Sequence, residues 1–318
     1  MLAGAAVIIL VLALTSMFVG ASDISMLSIL DSGWDDGSLD VLLVSRLPRT
    51  LALILAGTAM AVAGTLMQML ARNRFAEPST VGTAEAAKLG FLLVLIFLPE
   101  ASIPIRIAVA SGVALIATLL FLRILDRIPL QSTLLVPLIG ILFGGVINAM
   151  ATFIAYRFDL MQSLSGWTTG DFSMILQGRY ELLWIGFGLT LLAYRLADWF
   201  TVAGMGHDFT TNLGLNYRLV VFVGLAIVAV VTAGVVGTVG MIPFLGLVVP
   251  NVVSMALGDN VRRTMPWVAI LGAGIVLACD IAGRVLNYPY EIPIGTVLGV
   301  IGSGVFLFLL LRKHARFV

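Results

Sequence analysis

Residues Gly237–Gly258 read GTVGMIPFLGLVVPNVVSMALG, an apolar stretch interrupted by glycines and by two prolines, Pro243 and Pro250. They close an uncharged run of 40 residues that starts at Leu219. One straight helix of that length would be about 60 Å long, twice the hydrocarbon core of a bilayer. The run therefore predicts two crossings with a turn between Gly237 and Pro243. A plain apolar anchor has no use for so much glycine and proline. Non-helical backbone at membrane depth is tolerated only inside protein or beside a wet cavity, so the stretch predicts a conduit.

The 318-residue chain is 60% hydrophobic and 11% charged, with a mean hydropathy of +1.10. A soluble domain cannot bury that much apolar surface, so the composition predicts a single polytopic membrane domain. A net charge of +1 argues against nucleic acid as a partner. Cys279 stands alone in an apolar span, which excludes a disulfide framework and a Cys-rich metal site. His207 and His314 lie in polar segments with no second ligand nearby, so both read as solvated and no metal is expected. Lys88 and Lys313 are the only lysines and neither follows a glycine, so the chain has no phosphate-binding P-loop.

Uncharged or nearly uncharged stretches predict ten crossings: Leu2–Ala21, Thr50–Ala71, Val81–Leu98, Ile107–Leu122, Ser132–Tyr156, Leu182–Tyr194, Leu219–Val236, Ile242–Leu257, Thr264–Cys279 and Ile292–Leu311. Ten crossings put both termini on one side. Eleven basic residues, Arg72 and Arg218 among them, fall in one set of turns and ends, against six in the other, so the first set is expected to be cytoplasmic, termini included. The segment Asp23–Asp40, with five aspartates and no basic residue, fits an outside loop. Val19-Gly20-Ala21 resembles a signal-peptidase site, but the first span has no basic leader and too long an apolar run, so an uncleaved helix is expected.

Small residues let helices approach in lipid. Gly57, Ala61 and Thr65 form such a face on the second span and read as close packing. The same spacing recurs with Gly140, Gly144, Asn148 and Thr152 on the fifth span, and with Gly295, Gly299 and Ser303 on the tenth. These seven read either as packing or as the lining of a translocation path, Asn148 adding a polar side chain. No ring of charges or backbone filter motif suggests an ion channel. Asp280 reads either as a proton relay or as the partner of Arg284 one turn on. The pair, partly solvated near the outer end of the ninth span, is preferred.

Several motifs then fall in order along the chain. Arg46-Leu47-Pro48-Arg49 enters the second span, followed by Gly57, Gly64, Gln68, Asn73 and Ala76-Glu77-Pro78. Gly240 to Pro250, Asp280 with Arg284, and Glu291-Ile292-Pro293-Ile294-Gly295 follow. Over nearly its whole length the chain resembles the FecCD-type permeases, membrane subunits of ATP-binding-cassette (ABC) importers for ferric siderophores, haem and cobalamin. The resemblance implies an all-α type II importer fold of ten helices and a second permease as dimer partner. It also implies two cytoplasmic ATPase subunits that carry the ATP and Mg, an extracytoplasmic binding protein, and a bacterial plasma membrane. No cofactor is implied in this chain.

By the same resemblance Arg46, Arg49 and Arg284 match the arginines that dock acidic residues of the binding protein. The charge count puts all three on the outside. The connection Val202–Tyr217 matches the segment gripped by the ATPase. Gly206, Leu213 and Gly214 fit, whereas His207 and Asp208 stand where two acids are common and Thr210 where alanine is. Two further departures are Asn251, where histidine is common, and the run Ser79–Lys88. That run resembles a branch for catechol-type ferric siderophores in which two different permeases pair.

The expected function is therefore ferric-siderophore import, with haem or cobalamin import by the same architecture as an alternative. A proton-coupled transporter using Asp280 is the rival from another class. An intramembrane enzyme is remote, because no span carries a paired acid, a Cys-His set or a His cluster. An ABC exporter is disfavoured, since exporters often fuse the ATPase that this chain lacks.

Overall fold

The computed structural model describes residues 2–19, 40–128 and 135–314. The Gly20-Ala21 step, the acidic stretch from Asp23 to residue 39, the start of the fifth predicted span and Arg316 lie outside the described residues. Within them the chain is helical, with no strand. Helix α1 is Leu2–Phe18, and a π-helical turn Leu42–Arg46 runs straight into α2, Leu47–Leu70. Then come α3 Thr83–Phe97, α4 Ile103–Leu125, α5 Leu135–Arg157 and the short α6 Met161–Thr168. Helix α7 is Leu183–Arg195, followed by two short helices, α8 Ala197–Gly204 and α9 His207–Asn212. The chain continues with α10 Tyr217–Val239, α11 Leu245–Leu257, α12 Val261–Leu286 and α13 Ile294–His314.

Each of the ten predicted crossings coincides with one of these helices. Five of the described helical stretches are long and apolar enough to span a bilayer alone, Leu42–Leu70 and Tyr217–Val239 among them. Local chemistry sets several starts. Pro48 falls where the π-helical turn meets α2 and cannot donate to the Val44 carbonyl, which accepts from the Gln177 N–H at 3.0 Å instead. The Asn216 and Asn260 side chains accept from the backbone N–H of Leu219 and Arg263, at 3.2 and 3.1 Å, and cap α10 and α12.

Helix α2 is the hub, packing on α7, α10, α11 and α12. Its most apolar window is 89% buried, against 33% for α4 and 28% for α5. Lipid tails are as apolar as leucine, so this burial rests on close backbone approach rather than on expulsion of water. A Cβ on Gly57 would lie 2.7 Å from the Gly272 carbonyl oxygen of α12, and one on Gly64 only 2.1 Å from that of Gly246 on α11. The small face of the second span is a packing face, as expected.

The predicted turn in the uncharged run is the break Gly240–Phe244 between α10 and α11. Gly240 adopts a φ of 84°, which a side chain would strain, and a Cβ there would lie 2.3 Å from the Thr169 carbonyl oxygen. Buried backbone must still find partners, and the end of α6 with the stretch after it supplies them. Met241 N–H donates to the Trp167 carbonyl (3.1 Å), Asp171 N–H to Val239 (2.8 Å) and Gly295 N–H to Gly170 (2.9 Å). Phe244 holds φ +62° although it is not glycine. Its N–H donates to the buried Glu77 carboxylate at 3.0 Å, which fixes the entry to α11.

Pro250 inside α11 cannot donate to the Gly246 carbonyl one turn earlier. Gln68 Nε2 on α2 donates to that oxygen instead, at 3.2 Å. The Asn251 side chain donates to the carbonyls of Leu247 (2.8 Å) and Arg74 (2.7 Å), tying α11 to the segment that follows α2. That is the structural use of asparagine here.

Candidate functional site

Three places bring together the residues singled out from the sequence. The first lies where α1 ends beside the starts of α2 and α13 and the end of α12. Arg49 reaches Asp280 at 2.7 Å and Glu291 at 2.8 Å. Arg284 pairs with the other Asp280 oxygen and donates to the Ser16 carbonyl (2.8 Å), the Ser16 hydroxyl (2.6 Å) and the Val19 carbonyl. Arg46 donates to the carbonyls of Met17 (3.1 Å) and Val19 (2.9 Å). The last carbonyls of a helix have no internal partners, and two guanidiniums satisfy those of α1.

The Asp280–Arg284 pair exists as expected, but not in a partly solvated setting. The Asp280 side chain is 0% exposed and that of Arg284 3%, because the end of α1 and Arg49 of α2 close over them. Both Asp280 oxygens are occupied by guanidinium N–H groups, so nothing there resembles an open proton relay. Of the three expected docking arginines, Arg46 and Arg284 are buried and engaged with α1. Arg49 lies nearer the surface, bound to the half-exposed Glu291.

The second place is a cavity of about 500 Å³ against the break. Gly144 and Asn148 of α5 and Gly295 of α13 line it, three of the seven path candidates. The other four do not. A Cβ on Gly140 would lie 2.1 Å from the Thr80 carbonyl oxygen, so that position serves close packing. Thr152 donates to Asn148 (2.8 Å) and Ser303 to Val300 (3.0 Å), each within its own helix, and Gly299 has open space beside it. Glu85 and Lys88 of α3 also line the cavity, with Ser79 and Thr169. In the sequence the run Ser79–Lys88 is a departure from the family pattern and has no place among the path candidates. The available signal was an acid and a lysine inside an otherwise apolar span.

The third place is the bracket α8–α9. Gly206 turns between the helices at φ 120°, a conformation side chains rarely take. Thr210 is buried and its hydroxyl donates to the carbonyls of Gly206 (2.6 Å) and Val202 (3.1 Å), closing the bracket where an alanine could not. His207 and Asp208 lie 3.2 Å apart with largely exposed side chains. Met205, Phe209 and Leu213 are exposed apolar residues on the bracket, and Gly214 ends it at φ 78°. Among the described residues no group of three or more His, Cys, Asp or Glu could hold a metal ion.

The FecCD transport family profile matches residues 8–312. The petrobactin import system permease protein YclN of Bacillus subtilis (strain 168) is 47% identical over 309 residues, covering 97% of each chain. The petrobactin import system permease protein FatD of Bacillus anthracis is 41% identical, over 98% of this chain and 90% of its own. The ferric-anguibactin transport system permease protein FatD of Vibrio anguillarum (strain ATCC 68554 / 775) is also 41% identical, over 94% of each chain. Among solved structures, an ABC transporter of metal-chelate type in an inward-facing conformation superposes with a TM-score of 0.80 at 21% identity over 98% of each chain, which establishes the fold. On its motifs, its helical architecture and this full-length match, the chain belongs to the FecCD transport family.

Proposed function

We propose that this chain is the permease subunit of an ABC importer that moves a ferric siderophore across the bacterial plasma membrane. The observation that carries this function is likeness over nearly the whole chain to permeases named for petrobactin and ferric-anguibactin import. The relatives named for vitamin B12 and hemin are more distant, at 28% and 30% identity.

Cargo crosses through the cavity beside the break. Glu85 and Lys88 put charge in the cavity, yet Ile141 and Thr296 at its edge are exposed. A charged cavity is not stable against lipid tails, so a second permease closes it. In keeping with the branch resembled, that permease is a different chain. The α8–α9 bracket, with Gly206, His207, Asp208, Leu213 and Gly214, offers exposed apolar side chains to an ATPase subunit that holds ATP and Mg. At the opposite end, a binding-protein carboxylate docks on Arg49 by displacing Glu291, while Arg46 and Arg284 hold α1 in place. Fork-shaped guanidiniums suit carboxylates, so lysine would not replace Arg49 fully. Hydrolysis in the partner shifts the permeases between two packings, and no side chain of this chain performs covalent chemistry.

The test is uptake of 55Fe-labelled catecholate and hydroxamate chelates into proteoliposomes carrying the chain with its permease, ATPase and binding-protein partners. Uptake of one class that vanadate blocks is the expected result. Uptake that ignores vanadate but collapses with the proton gradient would overturn the assignment.

A further inference from the structure

Helix α2 ends in a tight turn of its own backbone. Arg72 N–H donates to the Met69 carbonyl at 3.1 Å and Asn73 N–H to the Gln68 carbonyl at 2.9 Å. That pattern puts the residue after the C-cap in the left-handed region, where glycine is the usual choice. Here the residue is Arg72, at φ 47°. A side chain in that conformation is strained, and glycine would close the same turn without strain. Such strain points to a use for the side chain.

The guanidinium of Arg72 reaches the corner of the α8–α9 bracket. Its Nη2 donates to the hydroxyl of Tyr217, the first residue of α10, at 2.9 Å. Its Nη1 lies against Gly206, the turn between α8 and α9, 3.5 Å from where a Cβ would stand. The His207 ring, at the start of α9, meets the Tyr217 ring edge-on with centroids 5.3 Å apart. One side chain thus touches the corner of the bracket and the start of the helix that follows it. Beyond this corner a hollow of about 440 Å³ lies between α9 and the start of α10, lined by His207, Thr211, Leu215 and Tyr217. Close-packed groups transmit displacement and a hollow does not, so movement of α9 passes through the corner. Arg72 is itself exposed, so its hydrogen bond adds little to the stability of the resting fold.

We propose that Arg72 is a positioning residue for transport: it ties the α8–α9 bracket to α2, so that displacement of the bracket by an ATPase moves the hub helix. Helix α2 packs on α7, α10, α11 and α12, and through α10 and α11 the shift reaches the break beside the cavity. Without Arg72 the bracket still offers its exposed apolar side chains to the ATPase but slips against α2. ATP is then hydrolysed with less chelate moved. This inference rests on the importer function proposed above and names a residue through which hydrolysis and transport are linked.

The assembled importer, with both permeases, ATPase and binding protein in proteoliposomes, is given the 55Fe-labelled catecholate or hydroxamate chelate that wild type imports. Iron uptake and phosphate release are measured together, and the purified complex is melted. Arg72→Gly relieves the strained φ, so its Tm should not fall below that of wild type. The same variant should import about fivefold less iron per ATP hydrolysed, the low end of coupling between sites. Tyr217→Phe removes only the acceptor and should lower that ratio too, with no further loss when combined with Arg72→Gly. Arg72→Lys keeps a charged donor and should recover part of the ratio. A merely structural role predicts Tm and uptake falling together at constant iron per ATP. That result, or an unchanged ratio in Arg72→Gly, would overturn the inference while leaving the importer function standing. If Arg72→Gly does not assemble, Tyr217→Phe decides the matter by the same ratio. Absence of vanadate-sensitive uptake in wild type would remove that function, and the inference with it.

Discussion

The outer knot around Asp280 and the cavity beside α3 both bury charged side chains in a chain built to sit in lipid, and they treat them in opposite ways. In the knot, Arg49, Arg284, Asp280 and Glu291 match one another, and the excess donors are spent on the carbonyls that α1 leaves open. In the cavity, Lys88 has one acceptor and Glu85 Oε2 has none. The knot joins α1, α2, α12 and the start of α13 into one body. The cavity leaves part of its polar capacity unused. Hydrogen-bond completeness thus separates buried charge that fastens helices from buried charge that does not.

The contrast breaks most sharply at Asp280. Asp280→Ala leaves two guanidiniums without their shared acid and should destabilise the protein by about 3–5 kcal/mol, read as loss of thermal stability of the purified complex. Adding Arg284→Met should recover a large part, since residues in one network are not additive. A neutral Asp280→Ala would mean that the knot does not fasten the helices.

Next in size is Gln68→Leu, which strands the carbonyl that Pro250 frees and should cost about 1–3 kcal/mol in the same melt. Lys88→Met together with Glu85→Gln should go the other way. Removing two incompletely satisfied buried charges at once should stabilise the fold by about 1 kcal/mol. A destabilised double variant would place the two residues with the fastening charges and erase the contrast. The smallest effect belongs to Arg74→Ala. Its pair with Asp259 at 2.7 Å is exposed on both sides, so the change should stay within about 0.5 kcal/mol.

Much of the frame was legible in the chain. Ten apolar stretches become ten helices, and the two glycines and the proline of Gly237–Pro243 mark the one break inside a long uncharged run. The candidate site was legible in part. The stripe Gly140, Gly144, Asn148, Thr152 correctly names residues of one helix at one spacing, but spacing does not say what covers a face. Thr80 backbone covers Gly140, while the cavity opens at Gly144 and Asn148. The arginines were grouped together but not seen as buried, because burial depends on α1 laying its end across residues 265 and 268 positions away. Lys88 and Glu85 stand out in the sequence only as a departure from a family pattern, since nothing local reveals that Lys88 reaches Asn148 on another helix.

The sequence by itself determined how often the chain crosses, where it breaks and to which family it belongs. Those properties depend on the length of apolar runs against the thickness of a bilayer and on local backbone chemistry. Only the tertiary structure decided which charges are spent and which are free. Arg49 meets Asp280 across 231 residues, and Lys88 meets Asn148 across 60 while Glu85 Oε2 meets no hydrogen-bond donor among the described residues. Pairing needs donor and acceptor within about 3 Å at a usable angle, and helix packing alone sets that geometry.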